Sequence, residues 1–533
     1  MTVRREALLS ALAAASVAAA LAWLGPPGSD FAAHAYQRAE FLRHGFALWN
    51  NFWYAGRYSY VTYSLLYYPL AAVLGIRLLA VATIATASYA FTAIIWREWG
   101  PAARWSSRSF AVVWAGIVLS AAFPFALGMA LALLALWAVQ ARARWRFALL
   151  AALTLAASPI AFLLLVVILV GVAIAERPTV RRWTGPALAV VASGLAEGVL
   201  LLLFPGGGHF PFSGWEIAAG SAFCGVGLVF TWRVESLRVL RWVFAVYLVA
   251  SLATYLVPSG VGENIERLRF VAIPLAVLVF SVRRWRPLVP AIVVVALAVS
   301  WNVTPLAASY VQSSGNPAAN ATFWTPTIDF LHRHLSPSYR VEAVDTVGHW
   351  PAVYLARADI PLVRGWFRQD DFPENELLYG SHLSRAAYLT WLRSLGVGYV
   401  VLTRAQPDYS ARGEAALIRS GRSGLRPVFR SPGATVYAVP SPRPLVEGPG
   451  GPEVTALTQT KLAVITPDTH AWYRLAVRWS PYWQPSVGCV WKGRDGMTRL
   501  APHGAVVVTL RFDVTAAAAV GALEGTHRRC AGS

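Results

Sequence analysis

Runs of Ala, Leu, Val and Ile, separated by short arginine-bearing connectors, fill the chain from its N-terminus to about Trp301. A bilayer span needs ~20 mostly apolar residues, with room for shorter or tilted segments. On that rule membrane helices are expected near 7–24, 75–96, 109–122, 124–141, 147–157, 159–175, 187–204, 215–232, 242–257, 268–282 and 287–302, about eleven in all. The stretch holding the fifth and sixth is too short for two full spans, yet arginines flank both of its ends. A short hairpin turning at Ser158 and Pro159 is therefore expected. The first run has the basic start and small residues of a signal peptide, but so many spans follow that an uncleaved first helix is the expectation.

After Trp301 the pattern changes. ATFWTPTIDFLHRHL and HLSRAAYLTWLRSLG repeat at helical spacing, whereas YRVEAVD and VGYVVLT read as strands. This alternation predicts an α/β domain over 303–440. The Pro/Gly-rich SPRPLVEGPGGPE marks a linker at 441–450. Beyond it KLAVITP, YRLAVRWS, VGCVWKG and AVVVTLRFD are strand-like runs between turn signals, which predicts a small β-sandwich over 451–533. The fold class expected is thus an α-helical polytopic membrane protein over 1–302, with an outer loop at 25–60, followed by two extracytoplasmic domains.

Composition supports the membrane assignment. Of 533 residues, 56% are hydrophobic and only 14% charged, far from a soluble balance. A net charge of +20 would suggest nucleic acid in a soluble protein, but the positive-inside rule accounts for the arginines without an anionic polymer. Arg4 and Arg5; Arg97, Arg104 and Arg108; Arg142, Arg144 and Arg146; Arg177, Arg181 and Arg182; Arg233, Arg238 and Arg241; and Arg283, Arg284 and Arg286 all fall on one side if the helices alternate. That side is expected to be the cytoplasm. The opposite side then collects 25–60, the loop around His209, the segment 258–269 and everything after about 303. No nucleic-acid partner is expected. Of the three cysteines, Cys224 lies in an apolar run, while Cys489 and Cys530 can pair if the C-terminal part is extracytoplasmic.

The loop 25–60 carries the first candidate chemistry. Asp30 and His34 stand at i and i+4, one helical face apart, and a carboxylate just outside the bilayer can act as general base or hold a divalent metal on a phosphate. Against that, Ser29 and Asp30 precede a helical pattern, where such residues cap helices. Arg267 and Arg269 break the positive-inside pattern, since they lie at the outer end of a helix. Pairing with Glu263 or Glu266 would make Arg267 an ordinary interfacial residue. His209 has too few polar neighbours for a role, and Asp345, His349, Asp370 and Asp371 show no ligand spacing.

These residues carry a resemblance. GSDFAAH after the first helix, WNNFWYAG, and the Tyr-rich YSLLYYPL leading into the second helix are similar to bacterial YfhO-like and 6-pyruvoyl-tetrahydropterin synthase-related membrane proteins. ASPIAFLLL, VGENIERL, RGWFRQDD, SPYWQPSVGCVWKGRDG and PHGAVVVTLRFD extend the likeness along the chain. Through them the chain resembles the GT-C superfamily of polyprenyl-phosphate-sugar glycosyltransferases. It departs from the pattern in one respect: many GT-C enzymes carry paired acidic residues in the first outer loop, whereas Asp30 is the sole aspartate before the second helix.

The resemblance implies an inverting transfer from a polyprenyl-phosphate-linked sugar to an envelope glycan or lipid acceptor, on the extracytoplasmic face of a bacterial plasma membrane. Asp30, with His34, would be catalytic, and Arg267, Asn264 and Arg57 would neutralise the leaving phosphate. Trp49, Trp53 and Tyr54 would line a sugar or lipid groove. A divalent metal, Mg or Mn, stays open as a cofactor. Two other readings stand beside this one: a transporter or flippase of envelope precursors, and a non-catalytic assembly factor whose C-terminal domains bind an envelope protein. Spans nearly free of charge, with Glu197 the main exception, and the lack of two-fold symmetry argue against a proton-coupled carrier.

Overall fold

The computed structural model describes residues 2–176, 180–206, 208–380 and 382–531, with side chains left undescribed at 180–182. Arg177 of the fourth arginine cluster lies outside the described residues, as do the side chains of Arg181 and Arg182. The chain divides into two units. One comprises Met1–Phe31, Tyr63–Val199 and Gly208–Gly315; the other comprises Ala32–Thr62, Leu200–Gly207 and Asn316–Ser533.

The first unit is helical, and a helix lies on each of the eleven apolar stretches. In lipid no water completes a backbone hydrogen bond, so an apolar run must close its own, which a helix does. Among the described residues eight helices are long and apolar enough to cross a bilayer; Arg144–Ala157 and Ala272–Val282, at 14 and 11 residues, fall short of that length. Ser158 is extended (φ −163°, ψ 113°) between Arg144–Ala157 and Pro159–Glu176. The residue before a proline is driven from helical geometry, which makes the break that the arginine spacing requires. Phe110 stacks on Phe91 at 4.0 Å and on Trp114 at 5.3 Å in the core. Arg108 donates to the buried Glu6 at 2.9 Å and ties helix Arg104–Ala115 to helix Val3–Leu24. Ahead of Ala272–Val282 the chain takes a tighter 3-10 course over Gly262–Val271, which presents Asn264, Arg267 and Arg269 from irregular backbone.

The second unit holds helix Phe31–His44 from Ala32 onward, a two-stranded hairpin (Trp49–Asn50 with Arg57–Tyr58) and two larger assemblies. The first assembly is a four-stranded mixed sheet in the order Arg340–Ala343, Val397–Thr403, Ala434–Ala438, Arg426–Arg430, its first pair parallel. Helices Ala321–His334, Arg385–Ser394 and Arg412–Arg419 accompany it. The second assembly is a pair of antiparallel sheets, of five and four strands. Its strands include Lys461–Ile465, Tyr473–Arg478, Cys489–Lys492 and Val507–Phe512, where alternating apolar residues had marked them. Within the Pro/Gly-rich stretch, Val446–Glu447 forms an edge strand on Arg474 and Leu475, and Leu445 is fully buried. That stretch is thus more than a connector: Val446 and Glu447, among the turn formers, add a strand. Cys489 and Cys530 face each other on neighbouring strands and form a disulfide.

Candidate functional site

Asp30 stands immediately before helix Phe31–His44, so its carboxylate leaves a turn rather than a helical face. The turn is held to the end of helix Ile117–Ser120. The Ser29 amide donates to Leu119 O at 3.1 Å, the Asp30 amide to Ser120 O at 3.2 Å, and the Ser29 hydroxyl to Ser120 O at 3.0 Å. Gly28 permits this approach, since a Cβ there would lie 2.4 Å from Val118 O.

Arg267 belongs to the same unit. Its Nη2 donates to Asn264 Oδ1 at 2.7 Å, and its guanidinium carbon lies 4.5 Å from the centre of the Phe125 ring. The alternative, pairing with Glu263 or Glu266, is not what holds it: an amide oxygen and a ring face do. Burial pulls the Arg267 pKa below its ordinary value, while the charges of Tyr63 and Asp30 pull it back up. Burial likewise raises the Tyr63 phenol, which Arg267 lowers and Asp30 raises. Asp30, Tyr63 and Arg267 are therefore close enough to act on one another's charge. Tyr63 opens the Tyr-rich YSLLYYPL quoted for the resemblance, which gave it no role of its own.

Beside Arg267 opens an apolar cavity of ≈ 220 Å³, lined among others by Phe125, Met129, Leu164, Leu240 and Tyr247. Along helix Phe123–Gln140 its lining runs from Phe125 to Gln140. At a rise of ~1.5 Å per residue that is roughly 22 Å, most of the hydrocarbon thickness of a bilayer. Arg267 lines the cavity at the Phe125 end, and Glu98, Gln140 and Glu176 line it at the other.

The remaining predicted site residues lie in the second unit, and there they are packed. Trp49 is buried, stacks on Phe512 at 5.1 Å and donates its indole N–H to Asn51 Oδ1 at 2.8 Å. Trp53 donates to Ala352 O at 3.0 Å and rests 4.5 Å from the Tyr36 ring. Tyr54 donates to Phe367 O at 3.0 Å. These three aromatics spend their ring surface on protein neighbours. His34 is fully buried with its ring 5.7 Å from that of Trp366. Arg57 pairs with Asp370 Oδ2 at 2.7 Å, its guanidinium 3.6 Å above the Phe367 ring.

The RGWFRQDD stretch, flagged only as a resemblance, builds a buried ionic network in this unit. Arg364 grips both Asp371 oxygens at 3.0 and 2.6 Å, and Tyr379 donates to Asp371 at 2.6 Å. Arg368 pairs with Asp408 at 2.6 Å. His349 contacts Asp345 Oδ2 at 2.6 Å, and Tyr388 donates to Glu414 at 2.6 Å. Burial pushes Asp371 up, yet Arg364 outweighs it and holds the carboxyl below its ordinary range. Burial against Asp408 is overcome in the same way by Arg368. Glu414, by contrast, is pushed up to about 7 by burial despite Arg364. Sequence spacing could not show this network, because its members span 345–414 and meet only in the folded unit. Among the described residues no three His, Cys, Asp or Glu side chains gather into one group that could hold a metal ion.

No family model matches the chain, and no curated protein matches it. Solved structures do. The cryo-EM structure of the arabinofuranosyltransferase AftD from Mycobacteria is similar over 82% of this chain and 40% of its own, at 18% identity and a TM-score of 0.50. This chain therefore spans well under half of that protein's length. A looser likeness, at 13% identity and a TM-score of 0.39, links 81% of this chain to 98% of ArnT from Cupriavidus metallidurans bound to undecaprenyl phosphate. At 18% identity the likeness to AftD is one of fold, and the apolar helices make this chain a multi-pass membrane protein.

Proposed function

We propose that this protein is a glycosyltransferase that moves a sugar from a polyprenyl-phosphate donor to an envelope acceptor on the extracytoplasmic face of the membrane. The observation that carries the reading is the union, in one unit, of a carboxylate (Asp30) and an arginine (Arg267) within reach of each other's charge, with Arg267 at the end of a long apolar cavity. An isoprenoid chain suits the cavity, and its phosphate suits a guanidinium held by an amide and a ring rather than by a carboxylate. The GT-C-like fold agrees with the reading.

In the proposed reaction the Asp30 carboxylate takes the proton of the acceptor hydroxyl. The acceptor oxygen forms a bond to the anomeric carbon as the bond from that carbon to the phosphate oxygen breaks, which inverts the centre. The electron pair leaves with the polyprenyl phosphate, and Arg267, oriented by Asn264, stabilises the charge that develops there. No step runs through a metal ion.

The test is a lipid and glycan profile of membranes from cells lacking the protein, complemented with wild type or with Asp30→Asn. Accumulation of a polyprenyl-phosphate sugar and loss of one glycan decoration, rescued by wild type alone, is the expected result. Full rescue by Asp30→Asn would remove the carboxylate from the chemistry and leave the transporter and assembly-factor readings.

A further inference from the structure

Beside Arg267 in the chain lies a carboxyl that the proposed reaction does not use. Glu266 is 1% exposed, and neither of its oxygens has a hydrogen-bond partner among the described residues. It occupies a notch in helix Gly214–Thr231, where a Cβ on Gly220 would come 2.0 Å from its Oε2. The backbone of Gly262–Val271 kinks at this residue (φ −72°, ψ 15°). Tyr247, from helix Arg238–Leu256, clamps the kink from the cavity side: its hydroxyl donates to Ile265 O and accepts from the Leu268 amide at 3.4 Å.

The charges around Glu266 do not supply it with a counter-ion. Glu216 and Cys224 face it from helix Gly214–Thr231, Tyr247 and Ser251 from helix Arg238–Leu256, and Glu263 and Arg269 from its own segment. Arg269 is already engaged with Glu216 at 3.4 Å, and Glu216 also accepts from the Trp301 indole at 3.1 Å. Glu263 accepts from the Ser213 amide at 3.4 Å. Arg267 donates to Asn264 instead. Three carboxyls thus share one arginine, and the most buried of them has no paired cation. A buried carboxylate without a partner is far costlier than a buried carboxylic acid.

We propose that Glu266 is a positioning residue for Arg267: as a neutral acid seated against Gly220 it fixes the kinked Gly262–Val271 segment, and its ionisation unseats that segment and weakens anion binding at Arg267. The proposal rests on the reading of Arg267 as the lipid-phosphate site. Burial raises the acidity threshold of Glu266, with Glu216 and Glu263 adding to it and Ser251 and Arg269 opposing. A carboxyl raised in the folded state contributes order that is present at low pH and lost as pH rises through the raised value.

The experiment uses the full chain in detergent or vesicles and reads two quantities against pH, from about 6 to about 9, a range above the ordinary Glu pKa. The first, without lipid, is hydrogen exchange of the 262–271 amides. The second is binding of undecaprenyl phosphate. In wild type, exchange should rise and affinity fall by about tenfold, or ~1.4 kcal/mol, toward the upper pH. Glu266→Gln, which cannot ionise, should keep both flat, and Gly220→Ala should show fast exchange at every pH. pH-independent exchange in wild type, or the same pH dependence in Glu266→Gln, overturns the proposal. Failure of wild type to bind undecaprenyl phosphate at any pH overturns the lipid-phosphate reading instead, since the exchange arm contains no lipid.

Discussion

Three arginines of the second unit and Arg267 of the membrane unit are held in different ways. In the second unit Arg57, Arg364 and Arg368 each meet a carboxylate at 2.6–2.7 Å, and further hydroxyls complete the Arg364 and Arg368 pairs. In the membrane unit Arg267 leans on an amide oxygen and a phenyl ring at the end of an apolar cavity. A desolvated guanidinium with a carboxylate of its own is neutralised, so it can brace a fold but has little field left for a ligand. One held by neutral groups keeps its field and is suited to an anion that arrives later. Lack of a carboxylate partner alone does not mark a ligand site: Arg340 of the second unit is fully buried and donates to the Leu395 and Ala476 carbonyls, so under the proposed function it is the place of Arg267 at the end of the cavity that sets it apart.

The strongest way to break that contrast is to remove one partner from a paired arginine. Asp371→Ala leaves Arg364 buried without its bidentate acceptor and should cost about 3–5 kcal/mol of stability, read as lost hydrogen-exchange protection of strand Val397–Thr403 in the full chain. A loss below about 1 kcal/mol would mean the network is ornamental and the contrast unsound. Asp30→Asn should do the reverse. It should leave thermal unfolding of the protein within about 0.5 kcal/mol of wild type while transfer, measured with a polyprenyl-phosphate sugar, falls by roughly 10²–10⁴-fold.

Arg267→Ala should lower the same transfer rate by about 10²–10³-fold and weaken undecaprenyl phosphate binding, whereas Arg57→Ala should affect stability and leave lipid affinity unchanged. Equal effects of the two on lipid affinity would erase the distinction between paired and unpaired arginines. A smaller effect is expected from Cys489→Ser with Cys530→Ser. The bridge spans 41 residues, and its loss should cost about 2–4 kcal/mol, seen as faster exchange in strand Cys489–Lys492 with no change in lipid binding.

The smallest effect sharpens the contrast through pH. Asp371 and Asp408 are held below the ordinary carboxylate range, so the stability they lend the second unit is present above about pH 4 and lost as pH falls through their folded values. Glu414 is raised to about 7, so its contribution is lost as pH rises through that value. Exchange protection of strand Val397–Thr403 should therefore peak between these limits. A profile flat across both would show that the carboxyls of the network do not change protonation on folding.

Much of the fold was legible beforehand because its signals are local. Apolar length marked the helices, Ser158 before Pro159 marked the hairpin, and alternation marked strands such as Lys461–Ile465. The exception is instructive: Val446–Glu447 hid among prolines and glycines, since two strand residues leave no period to read. Arg267 stood out for another reason, as a cation against the orientation rule, and its part in the site is a proposal. The aromatics of the first outer loop were not. Trp49, Trp53 and Tyr54 look equally suited to a groove or to a core, and only their packing decides between the two.

The amino-acid sequence by itself determined that this is a multi-pass membrane protein whose spans are followed by strands and helices of another period, because hydropathy and period act within a few turns of chain. The tertiary structure alone decided which charges are paired, because Coulombic pairing depends on distance in space and not along the chain. Arg57 met Asp370, 313 residues away, and Arg364 met Asp371, seven away. Arg267, three residues from Asn264 and with two glutamates close in sequence, met neither carboxylate, because a kink at Glu266 and a glycine notch at Gly220 leave that carboxyl packed against a different helix.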